Sequence, residues 1–237
     1  MEFMSLKEAL RIAGIYPSLP LRDKLTILAR LVFCARPVID VLERHLPEKG
    51  LILDLGCGYG TISHLVSSAH TDRSVIGVDM SSRRIEAAKS GVNHNDSVEF
   101  HAADVREFQI PRCSAVIMID ILYMLTFEEQ ERLLSRCYEK LRDNGVVIIK
   151  DNCKSPYWKY AYAYMEDVIK TKLGLYGKEV AENSSRYWDV HEFLELLGRI
   201  GFRAKAIPLK SHLPYPGVFY VCRKLQEKGN RGEGKRE

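Results

Sequence analysis

The chain has no apolar run approaching the roughly 20 consecutive residues that a helix needs to cross a bilayer. Its first ten residues, Met1–Leu10, carry two glutamates and lack the basic, then apolar, then small-residue order of a secretory signal. Both absences lead us to expect a cytosolic protein. Paired cysteines are missing too. Cys34, Cys57, Cys113, Cys137, Cys153 and Cys222 include no C-x-x-C pair, and none keeps zinc-ligand spacing with a histidine, so no metal site is expected. Several stand in or beside apolar runs, as Cys113 does ahead of Ala115–Ile119, and read as reduced core residues. Charge of one sign is also scarce. The formal net charge is +4, and residues 224–237 supply +2 of it through five Lys/Arg and three Glu. The remaining charge is too small for an extended phosphate-binding surface, which argues against nucleic acid as a partner. There is no internal repeat and no second nucleotide-binding motif.

What is present is an ordinary globular composition, 46% hydrophobic and 28% charged, over 237 residues. That length holds one α/β domain with additions. From residue 51, β-branched runs at Leu51–Leu55, Val75–Asp79, Val98–His101, Ala115–Ile119 and Val146–Lys150 alternate with Thr61–Ala69, Ser82–Ser90 and Phe127–Leu141, whose apolar residues recur at three-to-four spacing. This alternation predicts a parallel sheet with helices on both faces. Ser81 is placed to cap a helix, and Asp143-Asn144-Gly145 is expected to stop the helix ending at Arg142. A further helix near Val190–Ile200 closes at Gly201. Two strand-like runs, Phe202–Leu209 and Val218–Arg223, then form an antiparallel pair at one end of the sheet. The expected fold is therefore a Rossmann-like, doubly wound sheet of seven strands, mostly parallel with a C-terminal antiparallel hairpin. We divide the chain into an N-terminal helical lid segment (1–46, broken near Pro37), the main domain (47–223, with a lid insertion at about 152–188) and a disordered tail (224–237).

The segment Leu51-Ile-Leu-Asp54-Leu55-Gly56-Cys57-Gly58-Tyr59-Gly60 runs an apolar strand into three alternate glycines and then a helix. The glycines permit a tight turn and close approach of backbone amides to a ligand. Asp79 ends the second strand, where a carboxylate can accept from both hydroxyls of a ribose. A dinucleotide fingerprint, G-x-G-x-x-G, fails here, because Thr61 stands where its third glycine belongs and Gly60 comes one residue early. Asp54, just before the turn, is ill suited to a pyrophosphate. It suits a ligand bearing positive charge, such as an amino group and a sulfonium.

In these residues the chain resembles the class I S-adenosylmethionine-dependent methyltransferases, over about residues 45 to 223. The resemblance implies that Gly56, Gly58 and Gly60, with Cys57 as the small residue between, form the loop beneath the methionyl part of S-adenosylmethionine, with Asp54 nearby. Asp79 would hold the ribose, Met80 would pack on the adenine, and Asp104, followed by Val105, would accept from the adenine amino group. Asp120, ending the fourth strand ahead of Tyr123, lies where that family meets both cofactor and substrate. Simpler structural roles stay open, with Asp54 capping the turn and Asp104 serving an Asx turn.

Methyl transfer from a sulfonium needs alignment and a deprotonated nucleophile, not a dedicated triad. Candidate catalytic residues are Asp120, Tyr123 and His212, with His191 as a further base and Asp151 as an orienting group. Each histidine also has a structural reading. Five aromatics crowd Tyr157 to Tyr164, and Trp158, Tyr160 and Tyr162, with Tyr215 of the hairpin turn, are the candidate acceptor-binding residues; plain packing on the sheet is the alternative. Leu21, Leu25, Leu28 and Val32 form an apolar stripe broadened by Ile27, Leu31 and Cys34. It serves core packing or, flanked by Arg22, Lys24, Arg30 and Arg36, a peripheral membrane contact. The expected activity is methylation of a small apolar or aromatic acceptor of lipid, quinone-like, polyene or polyketide-like kind. An RNA methyltransferase and a non-catalytic cofactor-binding partner subunit are the rival readings. The tail of Asp120-Ile-Leu-Tyr123 is not the N-P-P-Y motif of base amino-group methylation.

Overall fold

The computed structural model describes residues 10, 14, 16, 19–32, 36–91, 97–154, 157, 158, 161, 165, 186–209 and 217–226. Its strands are β1 (Gly50–Leu55), β2 (Arg73–Asp79), β3 (Val98–Ala102), β4 (Cys113–Ile119), β5 (Leu141–Asn152), β6 (Arg203–Pro208) and β7 (Gly217–Arg223). They form one seven-stranded sheet in the order β3-β2-β1-β4-β5-β7-β6. β1 to β5 pair in parallel, and β7 lies antiparallel between β5 and β6. The expected mostly parallel sheet with an antiparallel C-terminal pair is the one observed. Strand order reverses between β1 and β4, the point where open α/β sheets bind ligands beyond their carboxyl ends.

Parallel strands buried on both faces read as near-continuous apolar runs, and the alternation of β1, β4 and β5 sorts those runs into two cores. Leu53, Leu55, Val116, Met118, Val147 and Ile149 face Leu133, Leu134, Phe193, Leu196 and Leu197. The latter come from α5 (Phe127–Lys140) and α6 (Val190–Ile200). Ile52, Ala115, Ile117, Val146 and Ile148 face the other way, toward Val38, Leu42, Val66 and Ile85, which belong to α2 (Arg36–His45), α3 (Thr61–Ala69) and α4 (Ser82–Ser90). Each fully buried Leu, Ile or Val contributes roughly 1.5–3 kcal/mol.

Local signals set the helix ends. Ser81 accepts from the Arg84 N–H and starts α4. Thr126 and Glu129 form a reciprocal capping box on α5. α6 closes at Gly201, whose φ of 114° suits glycine. One end differs from expectation. α5 stops at Lys140, not at Arg142, because Leu141 turns extended and already pairs with Cys113. Sheet pairing captures the chain before the Asp143-Asn144-Gly145 turn, where Asn144 takes a φ of 61°.

The N-terminal helices separate as anticipated, α1 (Leu21–Arg30) from α2, with Pro37 in the first turn of α2, where its missing N–H leaves no bond unmade. Ile27 and Leu31 are buried with Tyr16 against Tyr59 and Leu65, whereas Leu21 and Leu25 face outward. The apolar stripe is thus split, one side packed and the other exposed. Lys224, just past the anticipated domain end at 223, donates through its Nζ to the Tyr138 and Leu141 carbonyls. The rest of the anticipated tail, from 227, lies outside the described residues. No helix among the described residues is long and apolar enough to cross a membrane.

Candidate active site

Beyond β1, Gly56, Gly58 and Gly60 take φ values of 77°, 58° and 71°, a region that strains any side chain. The N–H groups of Gly56 and Cys57 both donate to the Val78 carbonyl, at 2.7 and 3.0 Å, stitching the loop to the end of β2. A Cβ on Gly56 would overlap Ile121, and one on Gly60 would come within 2.5 Å of the Phe100 ring. Gly58 differs: nothing lies within 4 Å of where its Cβ would stand. Gly60 precedes α3 without a side-chain cap, so the first amides of that helix are left for another acceptor.

Asp79 is the hub of this corner. Its Oδ2 accepts from the Gly58 N–H at 3.0 Å and its Oδ1 from the Ser81 N–H at 2.9 Å. Two backbone bonds fix the carboxylate while leaving lone pairs for further donors. Asp54 is buried beneath the loop and accepts from the Ser63 hydroxyl at 2.5 Å. Burial pushes its carboxyl up to about 6. The Cys57 thiol is likewise pushed far up by burial, which keeps it an inert thiol. Met80 beside this corner is 65% exposed.

Asp104 follows β3, and its carboxylate is engaged by the Arg106 guanidinium through Nε at 3.0 and 2.9 Å and Nη2 at 2.5 Å. Those bonds hold it below the ordinary carboxylate range. Arg106 is shared with Glu129 at 2.9 Å. Val105 beside it is buried in the core.

Asp120 follows β4 with a φ of 55°, a left-handed conformation unusual for a non-glycine residue. Its N–H donates to the Lys150 carbonyl at 2.8 Å and its carboxylate pairs with the Lys150 ammonium at 2.5 Å. Tyr123 lies in the 3-10 turn Leu122–Met124, and its N–H donates to Asp151 Oδ2 at 3.1 Å. Asp151 is buried, and burial together with the neighbouring Asp120 charge raises its carboxyl to about 7. Sequence spacing therefore brings Asp54, the glycines, Asp79, Asp120, Tyr123 and Asp151 to one edge of the sheet.

The other candidates fall elsewhere. His191 is on the outer face of α6, with its Nδ1 3.3 Å from Glu195. Trp158 is 61% exposed. Tyr160, Tyr162, His212 and Tyr215 lie outside the described residues.

The sequence did not single out a small recess, with room for about one water-sized group, lined by Leu122, Gln130, Asp151, Asn152, Arg186, Tyr187, Trp188, Phe193 and Tyr220. The insertion after β5 returns here, where the Lys154 N–H donates to the Trp188 carbonyl at 3.1 Å. Trp188 Nε1 donates to Gln130 Oε1 at 2.6 Å, and its ring stacks 5.7 Å from Phe193. Trp188 and Phe193 bracket the Asp189 N-cap of α6 as a hydrophobic staple, which is the sequence signal that marks them. Tyr187 stands 5.5 Å from Tyr123.

The N-terminal segment meets the loop directly. Tyr16, fully buried, donates its hydroxyl to the Tyr59 carbonyl at 2.8 Å, and Asp23 pairs with Arg83 of α4. Tyr16 is thus one of the loop's walls.

An open face at Gly58, a carboxylate fixed at the end of β2 and a buried acid under the loop fit a nucleoside ligand carrying positive charge. Comparison with known proteins agrees. Residues 52–145 match the family described as Methyltransferase domain. The chain is 30% identical to carboxy-S-adenosyl-L-methionine synthase of Campylobacter curvus over 148 residues, 61% of this chain and 63% of that one. It is 29% identical to phosphoethanolamine N-methyltransferase 3 of Arabidopsis thaliana over 119 residues, 50% of this chain and 24% of that one. The chain thus spans less than two thirds of either protein. Human N-acetylserotonin methyltransferase, solved in complex with its cofactor, shares the fold with a TM-score of 0.62 at 16% identity, covering 94% of this chain and 57% of that one. Residues 52–145 thus carry a methyltransferase domain, the sheet has the fold of solved S-adenosylmethionine-dependent methyltransferases, and S-adenosylmethionine is the cofactor that this domain and fold imply.

Proposed function

We propose that the chain transfers the methyl group of S-adenosylmethionine to a small, largely apolar or aromatic acceptor. The observation that carries the reading is Asp79, fastened through the Gly58 and Ser81 amides beside the open face of Gly58. That carboxylate is held ready for two ribose hydroxyls, and Asp54 supports a cationic methionyl end. When bound, the cofactor supplies an electrophilic methyl on a positively charged sulfur. The chain's own part is to orient and to exclude water. Asp120, locked by Lys150, stands at the switch point between cofactor and acceptor. Tyr187, Trp188 and Phe193 make the neighbourhood of that corner aromatic, which favours a flat or apolar acceptor over a charged one. Incubation with methyl-labelled cofactor and fractionated cell extract tests the reading. Label is expected in the lipid or small-molecule fraction; label confined to RNA would refute the acceptor class.

A second reading rests on the 30% identity to a carboxy-S-adenosyl-L-methionine synthase. Here the cofactor itself would be altered and carboxy-S-adenosyl-L-methionine would be the product. Mass spectrometry of the nucleoside after turnover separates the two, one giving the demethylated nucleoside and the other a carboxylated one.

A further inference from the structure

The turn that follows β4 is fastened to β5 by two consecutive residues on opposite faces of the sheet. Val147 and Ile149 of β5 lie in one core and Val146 and Ile148 in the other, so Lys150 and Asp151 also alternate. Lys150 grips the start of the turn twice. Its carbonyl accepts from the Asp120 N–H at 2.8 Å, and its ammonium pairs with the Asp120 carboxylate at 2.5 Å. Asp151 grips the turn further along, accepting from the Tyr123 N–H at 3.1 Å. Between these two points stands Ile121, whose side chain fills the space that a Cβ on Gly56 would need. The turn that carries Asp120 therefore rests against the glycine loop.

Asp120 takes a φ of 55°, a region that a non-glycine residue keeps only where its surroundings hold it there. Both holds described here come from Lys150. The pair is shielded, with the Lys150 side chain 13% exposed and that of Asp120 27% exposed. The other carboxylates around the glycine loop are met differently. Asp54 accepts from the Ser63 hydroxyl, and Asp79 accepts from the Gly58 and Ser81 amides, neutral donors that cancel no charge. A hydroxyl or amide at position 150 could orient Asp120 in the same manner. The Lys150 ammonium orients it and also brings a full opposite charge.

We propose that Lys150 is a positioning residue of the transfer site, which fixes Asp120 at the switch point and cancels its charge. It thereby sets how strongly the site prefers the positively charged donor over the neutral product. The proposal rests on the methyl-transfer reading above. S-adenosylmethionine and S-adenosylhomocysteine differ by one methyl group and one positive charge on sulfur. A bare carboxylate at the switch point would favour the donor through that charge. In the transfer, an electron pair of the acceptor forms the new bond to the methyl carbon. The C–S bond breaks, its pair stays on sulfur, and the positive charge leaves sulfur with the methyl. Attraction to the charged sulfur is thus greatest before the reaction and fades along it, which raises the barrier. Asp120 cancelled by Lys150 keeps its orientation without adding that penalty.

The test is calorimetric titration of the full chain with S-adenosylmethionine and with S-adenosylhomocysteine. The ratio of the two dissociation constants reads the charge at the switch point, because the rest of the ligand is common to both. Lys150→Met leaves Asp120 uncancelled and is expected to shift the ratio about threefold to tenfold toward S-adenosylmethionine. Asp120→Asn leaves Lys150 uncancelled and should shift it by a similar factor the other way. Asparagine enters the left-handed region readily, so this variant keeps the turn. The double variant and Lys150→Arg should both lie near the wild-type ratio. A pair that is merely structural would weaken both ligands alike and leave the ratio unmoved. The proposal is overturned if a folded single variant keeps the wild-type ratio, or if the two shift it in the same direction. It is overturned too if the double variant or Lys150→Arg shifts as far as Lys150→Met. Should Lys150→Met not fold, the sign of the shift in Asp120→Asn decides. Failure of both ligands to bind the wild-type chain would strike the cofactor reading instead, and the proposal with it.

Discussion

Gly58 and Gly60 stand two residues apart, both with positive φ, yet they should fail differently when given a methyl group. At Gly58 the φ is 58° and nothing lies within 4 Å of the added Cβ. Gly58→Ala therefore meets only the left-handed penalty, about 1–2 kcal/mol. For a chain of this size that lowers Tm by about 2–8 °C. At Gly60 the φ is 71° and the added Cβ meets Phe100 Cζ at 2.5 Å, Phe100 Cε1 at 2.6 Å and the Ala88 Cβ at 3.0 Å. The ring cannot swing away freely, because it also lies over Gly77 and packs edge-on to His64 with centroids 5.2 Å apart. Overpacking adds about 1–3 kcal/mol to the backbone strain. The sum of about 2–5 kcal/mol predicts a loss of about 4–20 °C.

Binding should rank the two the other way for its cause. On the proposed reading the open side of Gly58 faces the cofactor, so Gly58→Ala is expected to weaken S-adenosylhomocysteine binding by about tenfold to a hundredfold while staying folded. Phe100→Leu in the Gly60→Ala background should recover part of the lost Tm, because it relieves the overlap and not the strain. Calorimetric unfolding and titration give both quantities. Equal Tm losses for the two glycine variants, or wild-type affinity in Gly58→Ala, would refute this account of the loop.

Asp79→Ala should weaken S-adenosylhomocysteine binding by about 1–3 kcal/mol, since it removes a charge-assisted acceptor; unchanged affinity by calorimetry would reject the ribose assignment. Asp151 is raised to about 7 and Asp54 to about 6, so the native state holds protons that the unfolded chain releases near its ordinary carboxyl value. The stability tied to them is complete below about pH 4 and lost as pH rises through about 6 to 7. Urea unfolding at pH 5 and pH 8 should show that loss, and Asp151→Asn should show less of it; identical pH dependence in the two would contradict the buried-acid reading. Deleting residues 1–36 removes Tyr16 and Ile27 from the loop, so a monodisperse truncation is expected to bind S-adenosylhomocysteine more weakly than the full chain, and wild-type affinity would show that Tyr16 is no wall of the site.

Much of the scaffold was legible because the burial pattern is written into short periods. α3, α4 and α6 have the ranges that three-to-four spacing and their flanking Ser81 and Gly201 imply. The glycine loop and Asp79 were legible for the same reason, since each sits at a strand end fixed by those runs. The recess was not, because its walls come from chain positions far apart: Leu122, Asp151, Tyr187 and Tyr220. The dense aromatics near Trp158 drew attention, while the pair Tyr187-Trp188 gained its meaning only once the insertion returned to Lys154. Tyr16 is the same case. A lone tyrosine in a mixed segment gives no local sign that it will dock on Tyr59.

The edge that carries the site has one aspartate for each parallel strand: Asp54, Asp79, Asp104, Asp120 and Asp151 follow or end β1 to β5 in turn. Five carboxylates along one edge repel, and the fold meets each differently. Asp104 and Asp120 are matched by the cations Arg106 and Lys150. Asp79 and Asp151 are held by backbone N–H groups, and Asp54 by the Ser63 hydroxyl. Neutral donors orient a carboxylate without cancelling its charge, so Asp54, Asp79 and Asp151 leave the edge negative toward whatever approaches. The uncapped start of α3 on its own would welcome an anion such as a pyrophosphate. The buried Asp54 opposes that preference, and on the proposed reading a ligand with both a carboxylate and a positive amino group would satisfy the open amides and the acid together. Burial holds the Asp54 carboxyl near 6, and a cation beside it would draw that value back toward the ordinary range. A cationic cofactor would therefore offset the cost of burying that acid, and a pyrophosphate would add to it.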